Sequence, residues 1–165
     1  ALQTWPNVEV VLVNAKGPGH RALGATWGRL PLRVVSTGAS VARSRAANLG
    51  LEAARGEYLM FLDDDDWFEP GHVAKLVDAL RRQPEFRVAY TGVRCFDEQG
   101  GLLPQVFLYP FDPARLLAGN LIPIHAALFH RSLLDLGCRV DESFDLYEDW
   151  DFWIQLSRHT YFVMI

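Results

Sequence analysis

The sequence predicts an α/β fold with a mainly parallel sheet, and three observations carry that prediction. Val8-Glu9-Val10-Val11-Leu12-Val13 and Tyr58-Leu59-Met60-Phe61-Leu62 are nearly continuous apolar runs, the pattern of strands covered on both faces. Between and after them lie helical segments bounded by turn residues, and strands alternating with helices imply parallel pairing. The chain has 165 residues, 50% of them hydrophobic. That suffices for one core burying about 70% of the unfolded surface.

The elements follow in order. The first strand, Val8–Val13, ends at Asn14-Ala15-Lys16-Gly17-Pro18-Gly19, a loop with two glycines around a proline. The preceding residues 1–7 read as the end of a helix. Leu32–Val35 is a second short strand. A helix spans about Val41 to Arg55, with Ser40 placed to cap its start and Gly56 to end it. The third strand, Tyr58–Leu62, runs directly into four aspartates. Pro70-Gly71 opens a helix through about Arg82, ended by Pro84. Arg87–Phe96 and Leu102–Leu108 read as strands joined at Glu98-Gln99-Gly100-Gly101 in a hairpin. Asp112-Pro113 supplies an N-cap and first-turn proline for a short helix. Ala126–Phe129 is a strand, Glu148–Arg158 a helix, and Tyr161–Ile165 a final apolar strand.

Composition removes several functional classes. The formal charge is −4, from 16 basic and 20 acidic residues. That argues against a nucleic-acid binder working through a basic face. No apolar run approaches the roughly 18 residues that span a bilayer, and the first residues lack a signal-peptide pattern. Cys95 and Cys138 form no CxxC and have no nearby pair of histidines. They read as buried thiols in a reducing compartment, so a cytoplasmic setting is expected, without a disulfide framework or zinc site.

Chemistry concentrates at Asp63-Asp64-Asp65-Asp66, immediately after a buried strand. Ligands in open α/β sheets bind beyond the carboxyl ends of strands. Two carboxylates about 6 Å apart repel by roughly 3 kcal/mol at an effective dielectric near 20. A partly buried cluster therefore favours a cation, and hard oxygen donors select Mg²⁺ or Mn²⁺. The plain alternative is a solvated acidic turn. An EF-hand is excluded, because no Gly and no trailing Glu stand at the required spacing. A second cluster, Tyr147-Glu148-Asp149-Trp150-Asp151, puts acids at a helix start beside large aromatics, where a general base could sit. A helix N-terminus also favours negative charge. The alternative is an ordinary acidic first turn over a tryptophan core. Arg43 and Arg45, early in the first full helix, could meet a diphosphate or form a solvated face. His125 and His130 flank an apolar strand and read as core or edge histidines.

Together these residues resemble glycosyltransferase family 2. The resemblance runs through Trp5–Val13, Ala46-Ala47-Asn48-Leu49-Gly50 to Tyr58, Phe61-Leu62-Asp63-Asp64-Asp65-Asp66-Trp67-Phe68-Glu69-Pro70, and Phe144-Asp145-Leu146-Tyr147-Glu148-Asp149-Trp150-Asp151. It implies a three-layer α/β/α fold of the GT-A type. Residues 1–66 would form the nucleotide-sugar and metal half, and residues 67–165 the acceptor and catalytic-base half. The implied reaction is metal-dependent, inverting transfer of a sugar from a nucleotide-sugar, usually a uridine diphosphate sugar, to an acceptor hydroxyl in glycan synthesis. Asp63 and Asp65 match the DxD metal positions, Asp63 also lying near the ribose, with Asp66 in support. Asp149 matches the base, with Glu148 beside it.

The sequence departs from the family at three places. The Asp-Asp-Gly expected after the first strand here reads Asn14-Ala15-Lys16-Gly17, leaving Asn14 as the nucleotide-side candidate. The family's Ala-Arg-Asn reads Ala46-Ala47-Asn48, which moves the arginine to Arg43 or Arg45. The family's own first strand is expected before residue 1, so the domain is expected to be cut at both ends. Two rivals remain: a degenerate nucleotide-sugar-binding module without turnover, and a nucleotidyltransferase. The second would want a Gly-rich basic loop, of which residues 14–19 are a weak version.

Overall fold

The computed structural model describes residues 2–19 and 22–165. The fold is mixed α/β in three layers. In chain order the strands are β1 (Val10–Asn14), β2 (Thr26–Trp27), β3 (Leu30–Ser36), β4 (Tyr58–Met60), β5 (Val88–Tyr90), β6 (Val93–Phe96), β7 (Leu102–Phe107), β8 (Ala127–His130) and β9 (Phe162–Met164). The helices are α1 (Arg43–Ala53), α2 (His72–Arg82), α3 (Pro113–Ala118), α4 (Ser132–Asp135) and α5 (Glu148–Ser157). The strands form three sheets, ordered β1-β3-β2, β4-β8-β5-β9 and β6-β7.

Side-chain alternation along the central sheet builds the layers. Val88 and Tyr90 of β5, Leu59 of β4 and Phe129 of β8 face one core cluster, with Leu51 of α1, Leu116 of α3, Leu133 of α4, and Phe152, Trp153 and Leu156 of α5. Ala89 and Leu128 face the other side, against Val73, Leu76, Val77 and Leu80 of α2. Such period-two switching between faces is what a doubly covered sheet requires. Trp153 is fully buried and its indole N–H donates to the Ile122 carbonyl at 2.9 Å.

The expectation of a mainly parallel sheet needs correction. β1 pairs with β3 in parallel, and so does β5 with β9, whereas β8 runs antiparallel to both β4 and β5. The α2 crossover does return β5 in the direction of β4. The reversed strand β8 then inserts between them, because it arrives from a hairpin and a short helix rather than from a helical crossover.

Four local expectations also change. Ser40 does not cap α1: the cap is Ala42, without a side-chain bond. Ser40 instead bridges Lys16, and the Val41 amide donates to the Ala15 carbonyl at 2.9 Å, so the helix begins two residues later. Residues 2–7 are not helical, and Ala1 lies outside the described residues. The run Arg87–Phe96 is two strands, broken at Thr91-Gly92. A Cβ on Gly92 would lie 3.1 Å from the Phe107 carbonyl oxygen and 2.7 Å from Leu108 Cδ1, so glycine gives the β6–β7 ribbon a close approach here that a larger residue would push back. Cys138 is buried but Cys95 is only half-buried; both thiols are free. The Asp112 cap of α3 stands as expected, its carboxylate accepting from the Ala114 and Arg115 amides.

α1 packs tightly on the first sheet. A Cβ on Gly50 would stand 3.4 Å from Val13 Cγ2. The other face of α1 is pinned by Asn48, which is 6% exposed. Its amide donates to the Val140 carbonyl and to Glu142 Oε1, both at 2.8 Å, and its Oδ1 accepts from the Val140 amide at 3.1 Å.

Candidate active site

The β4 strand delivers its apolar run into the interior and then stops, leaving the aspartates at the sheet's edge. Single carboxylate oxygens of Asp63, Asp65 and Asp66 lie within 4.8 Å of one another, while Asp64 is exposed and apart from them. This donor set fits a hard divalent cation, three carboxylates being close enough to share one ion. Asp66 is partly buried, which raises its pKa; Asp65 and Asp63 push the same way, and His125 opposes them. His125 Nδ1 sits 2.7 Å from Asp66 Oδ2.

The second cluster begins at Tyr147, whose φ of +64° is left-handed, the one positive φ among the described non-glycine residues. That bend starts α5 and places Glu148, Asp149 and Asp151 in its first turn, where the helix dipole favours anions. Glu148 is 6% exposed. Asp149 Oδ2 accepts from the Asn120 amide and its Oδ1 from the Trp150 backbone N–H, each at 2.8 Å. Trp150 is fixed in turn by its indole N–H, which donates to the Leu116 carbonyl at 2.6 Å.

Arg43 joins the clusters. Its Nη2 lies 2.7 Å from Asp63 Oδ2, and its Nε 2.7 Å from Glu148 Oε1. Partial burial works against the guanidinium charge, but Asp63, Glu148 and Asp149 outweigh it and hold the pKa above the ordinary arginine value. Arg43, Asp63, Glu148 and Asp149 all border a cavity of about 560 Å³. Its remaining wall is largely apolar and includes Val11 and Val13 of β1, Leu59 of β4 and Phe61.

Two candidate residues stand apart from this group. Asn14 folds back on its own loop, its amide donating to the Gly17 carbonyl at 2.5 Å and its Oδ1 accepting from the Lys16 amide at 3.3 Å. Arg45 pairs with Glu142 at 3.2 Å and Glu52 at 3.8 Å rather than with the aspartates. Two residues enter that sequence reasoning did not assign to the site. Asn120 orients Asp149 from 29 positions away, a contact no local pattern signals. His125, a core or edge histidine on sequence grounds, pairs with Asp66. Its nearness in sequence to the buried β8 is the only hint. His130 is an edge histidine as expected, 2.8 Å from Ser132 Oγ and 3.6 Å from Glu57.

No helix among the described residues is long and apolar enough to cross a membrane. YwdF of Bacillus subtilis, an uncharacterized glycosyltransferase, is 26% identical over 160 residues, covering 94% of this chain and 59% of the relative. Chondroitin synthase of Escherichia coli is 29% identical over 113 residues, covering 68% of this chain and 16% of that one. Among solved structures, S. aureus TarS 1–349 in complex with UDP superposes with a TM-score of 0.68 at 18% identity. That match covers 99% of this chain and 54% of TarS 1–349. TarS 1–349 in complex with UDP-GlcNAc also gives 0.68, at 19% identity. The chain thus spans little more than half the length of YwdF and TarS 1–349, and the superposition establishes the shared fold. The model of Glycosyl transferase family 2 matches residues 1–135, a span that includes β4 and the aspartates after it, and the chain belongs to this family.

Proposed function

We propose that this domain transfers a sugar from a uridine diphosphate sugar to a hydroxyl of a glycan, lipid-linked or other acceptor, with inversion at the anomeric carbon, in cytoplasmic polysaccharide assembly. The observation that carries this reading is Arg43, which ties the Asp63 cluster to the Glu148-Asp149 helix start at 2.7 Å on each side. Donor-side and base-side acids therefore share one site. The UDP and UDP-GlcNAc held by TarS support a uridine nucleotide as donor.

Asp63 and Asp65 would hold Mn²⁺ or Mg²⁺, with Asp66 in support and His125 steadying Asp66. Such an ion, when bound, offsets charge developing on a leaving diphosphate. Residues 1–66 then serve the donor and residues 67–165 the acceptor. Asp149 accepts the proton of the acceptor hydroxyl. Each of its oxygens already takes one hydrogen bond, from Asn120 and from the Trp150 amide, which leaves further lone pairs in a fixed orientation. Inversion by a single displacement requires one such carboxylate opposite the leaving group and no covalent intermediate.

General-base assistance contributes about 10²- to 10⁴-fold. Asp149→Asn is expected to lower kcat by that factor, with Mn²⁺ and UDP affinity nearly unchanged. Asp65→Ala is expected to lose metal-dependent UDP binding first. Near-normal turnover in Asp149→Asn, or an NMR-detected product with the donor's anomeric configuration, overturns the mechanism. A second reading, nucleotide-sugar binding without turnover, is favoured by Asn14 and Arg45 being held in contacts of their own. It predicts UDP binding without release of UDP from any donor.

A further inference from the structure

The two ion pairs that Arg43 makes are equal in length and unequal in setting, and the one to Asp63 is also a hydrogen bond. Glu148, at one end, has a side chain only 8% exposed, whereas Asp63, at the other, is 35% exposed and Arg43 itself 58%. An ion pair to a buried carboxylate is costly to break, because the carboxylate is then left desolvated without a partner. An ion pair near solvent is worth little, since water replaces it. Burial therefore makes the Glu148 pair the harder of the two to give up, and the Asp63 hydrogen bond the one that solvent and ligands can replace. Its fork has five N–H donors, of which one donates to Asp63, so most of its donor capacity remains open.

Asp63 Oδ2, the oxygen that Arg43 contacts, belongs to the carboxylate that meets Asp65 and Asp66 in the acidic trio. A guanidinium and a divalent cation cannot share this carboxylate without repelling each other. We propose that Arg43 is a tethered placeholder. Without ligands it occupies the cation's position at Asp63. When the donor site fills it releases Asp63, keeps Glu148 and turns its free N–H groups to the nucleoside diphosphate. Metal and nucleotide then bind cooperatively, because the group displaced by one becomes a ligand for the other. Glu148 is on this view a positioning residue that keeps the arginine within reach. The inference rests on the donor-site reading above.

The alternative is a fixed clamp that merely holds α1, β4 and α5 together, and the two differ in sign. Mn²⁺ alone is titrated by electron paramagnetic resonance, and UDP by calorimetry with and without saturating Mn²⁺, on the intact protein. Arg43→Gln is expected to tighten Mn²⁺ alone by about threefold. The same variant weakens UDP in the presence of Mn²⁺ by about tenfold or more. Arg43→Lys, which keeps the charge without the fork, falls between. Glu148→Gln, which loses the tether, weakens UDP with Mn²⁺ without tightening Mn²⁺ alone. If Arg43→Gln shifts both affinities in the same direction, or changes neither, the placeholder is overturned while the donor site stands. If Asp65→Ala leaves wild-type Mn²⁺ binding unchanged, the donor-site reading falls and the placeholder with it. Thermal unfolding of each variant separates these outcomes from loss of the fold.

Discussion

Replacing Asn48 by alanine removes a staple rather than a ligand contact, and its cost can be worked from the structure. Asn48 is 6% exposed and Val140, its partner, 3%. The amide and the carbonyl of Val140 both bond to this one side chain, at 3.1 and 2.8 Å. Alanine leaves both backbone groups without that partner in a position that water barely reaches. Each unsatisfied buried group costs about 1–3 kcal/mol, so the pair costs about 2–6 kcal/mol. The third bond, to Glu142, lies nearer solvent and adds under about 1 kcal/mol. We expect Asn48→Ala to destabilise by about 3 kcal/mol, lowering Tm by roughly 6–12 °C for a chain of this size. Urea unfolding checks it: the midpoint should fall at constant m, the signature of lost stability without a change in surface exposed. Asn48→Asp keeps an acceptor for the Val140 amide but faces the Val140 carbonyl and Glu142 with negative charge, so it should cost at least as much. A loss below about 1 kcal/mol for Asn48→Ala refutes the assignment.

Tyr147→Gly should stabilise by about 0.5–1 kcal/mol, because φ of +64° strains any residue with a Cβ; a loss measured by denaturant titration would show that the Tyr147–Trp150 edge contact outweighs the strain. His72 should make the fold acid-sensitive. Burial, aided by His125 and opposed by a backbone hydrogen bond, pushes its pKa down from 6.5 to about 4. The unfolded chain takes up this proton near pH 6.5 and the folded one only near 4, so stability is fully present above 6.5 and declines as pH falls towards 4. The loss should be about 1–2 kcal/mol after allowance for partial exposure, and His72→Gln should flatten the stability profile across that window.

What could be read in the sequence was local. The apolar run of β4 ending in aspartates, the Asp112-Pro113 helix start and the acidic opening of α5 each depend on residues adjacent in sequence. Propensity, capping and charge act within a turn or two, so these features were legible. The cap of α1 was misread because Ser40 bridges Lys16, 24 positions earlier. The break between β5 and β6 was hidden because nothing near Gly92 announces that Leu108 will press against it. The reversal of β8 is set by how the chain returns from the β6–β7 ribbon, a tertiary choice that leaves no periodic trace. The same holds at the site. The acids were identifiable individually, but the Arg43 bridge and the Asn120 contact join elements 20 to 105 residues apart.

The sheets containing β1 and β4 face one cavity without pairing to each other, and this has a consequence for how the molecule opens. Strand β1 bonds only β3, and β4 only β8, in the described sheets. The link between the two sheets passes through side chains and α1: Arg33 donates to the Ala53 carbonyl at 2.9 Å, and Glu9 accepts from the Arg55 and Gly56 amides. Within residues 2–165 such a link transmits less cooperativity than a shared ladder, so this segment should breathe in two units. In native-state hydrogen exchange, the β1–β3 amides are set to exchange early and together, while β5 and β8, enclosed on both faces, wait for global unfolding.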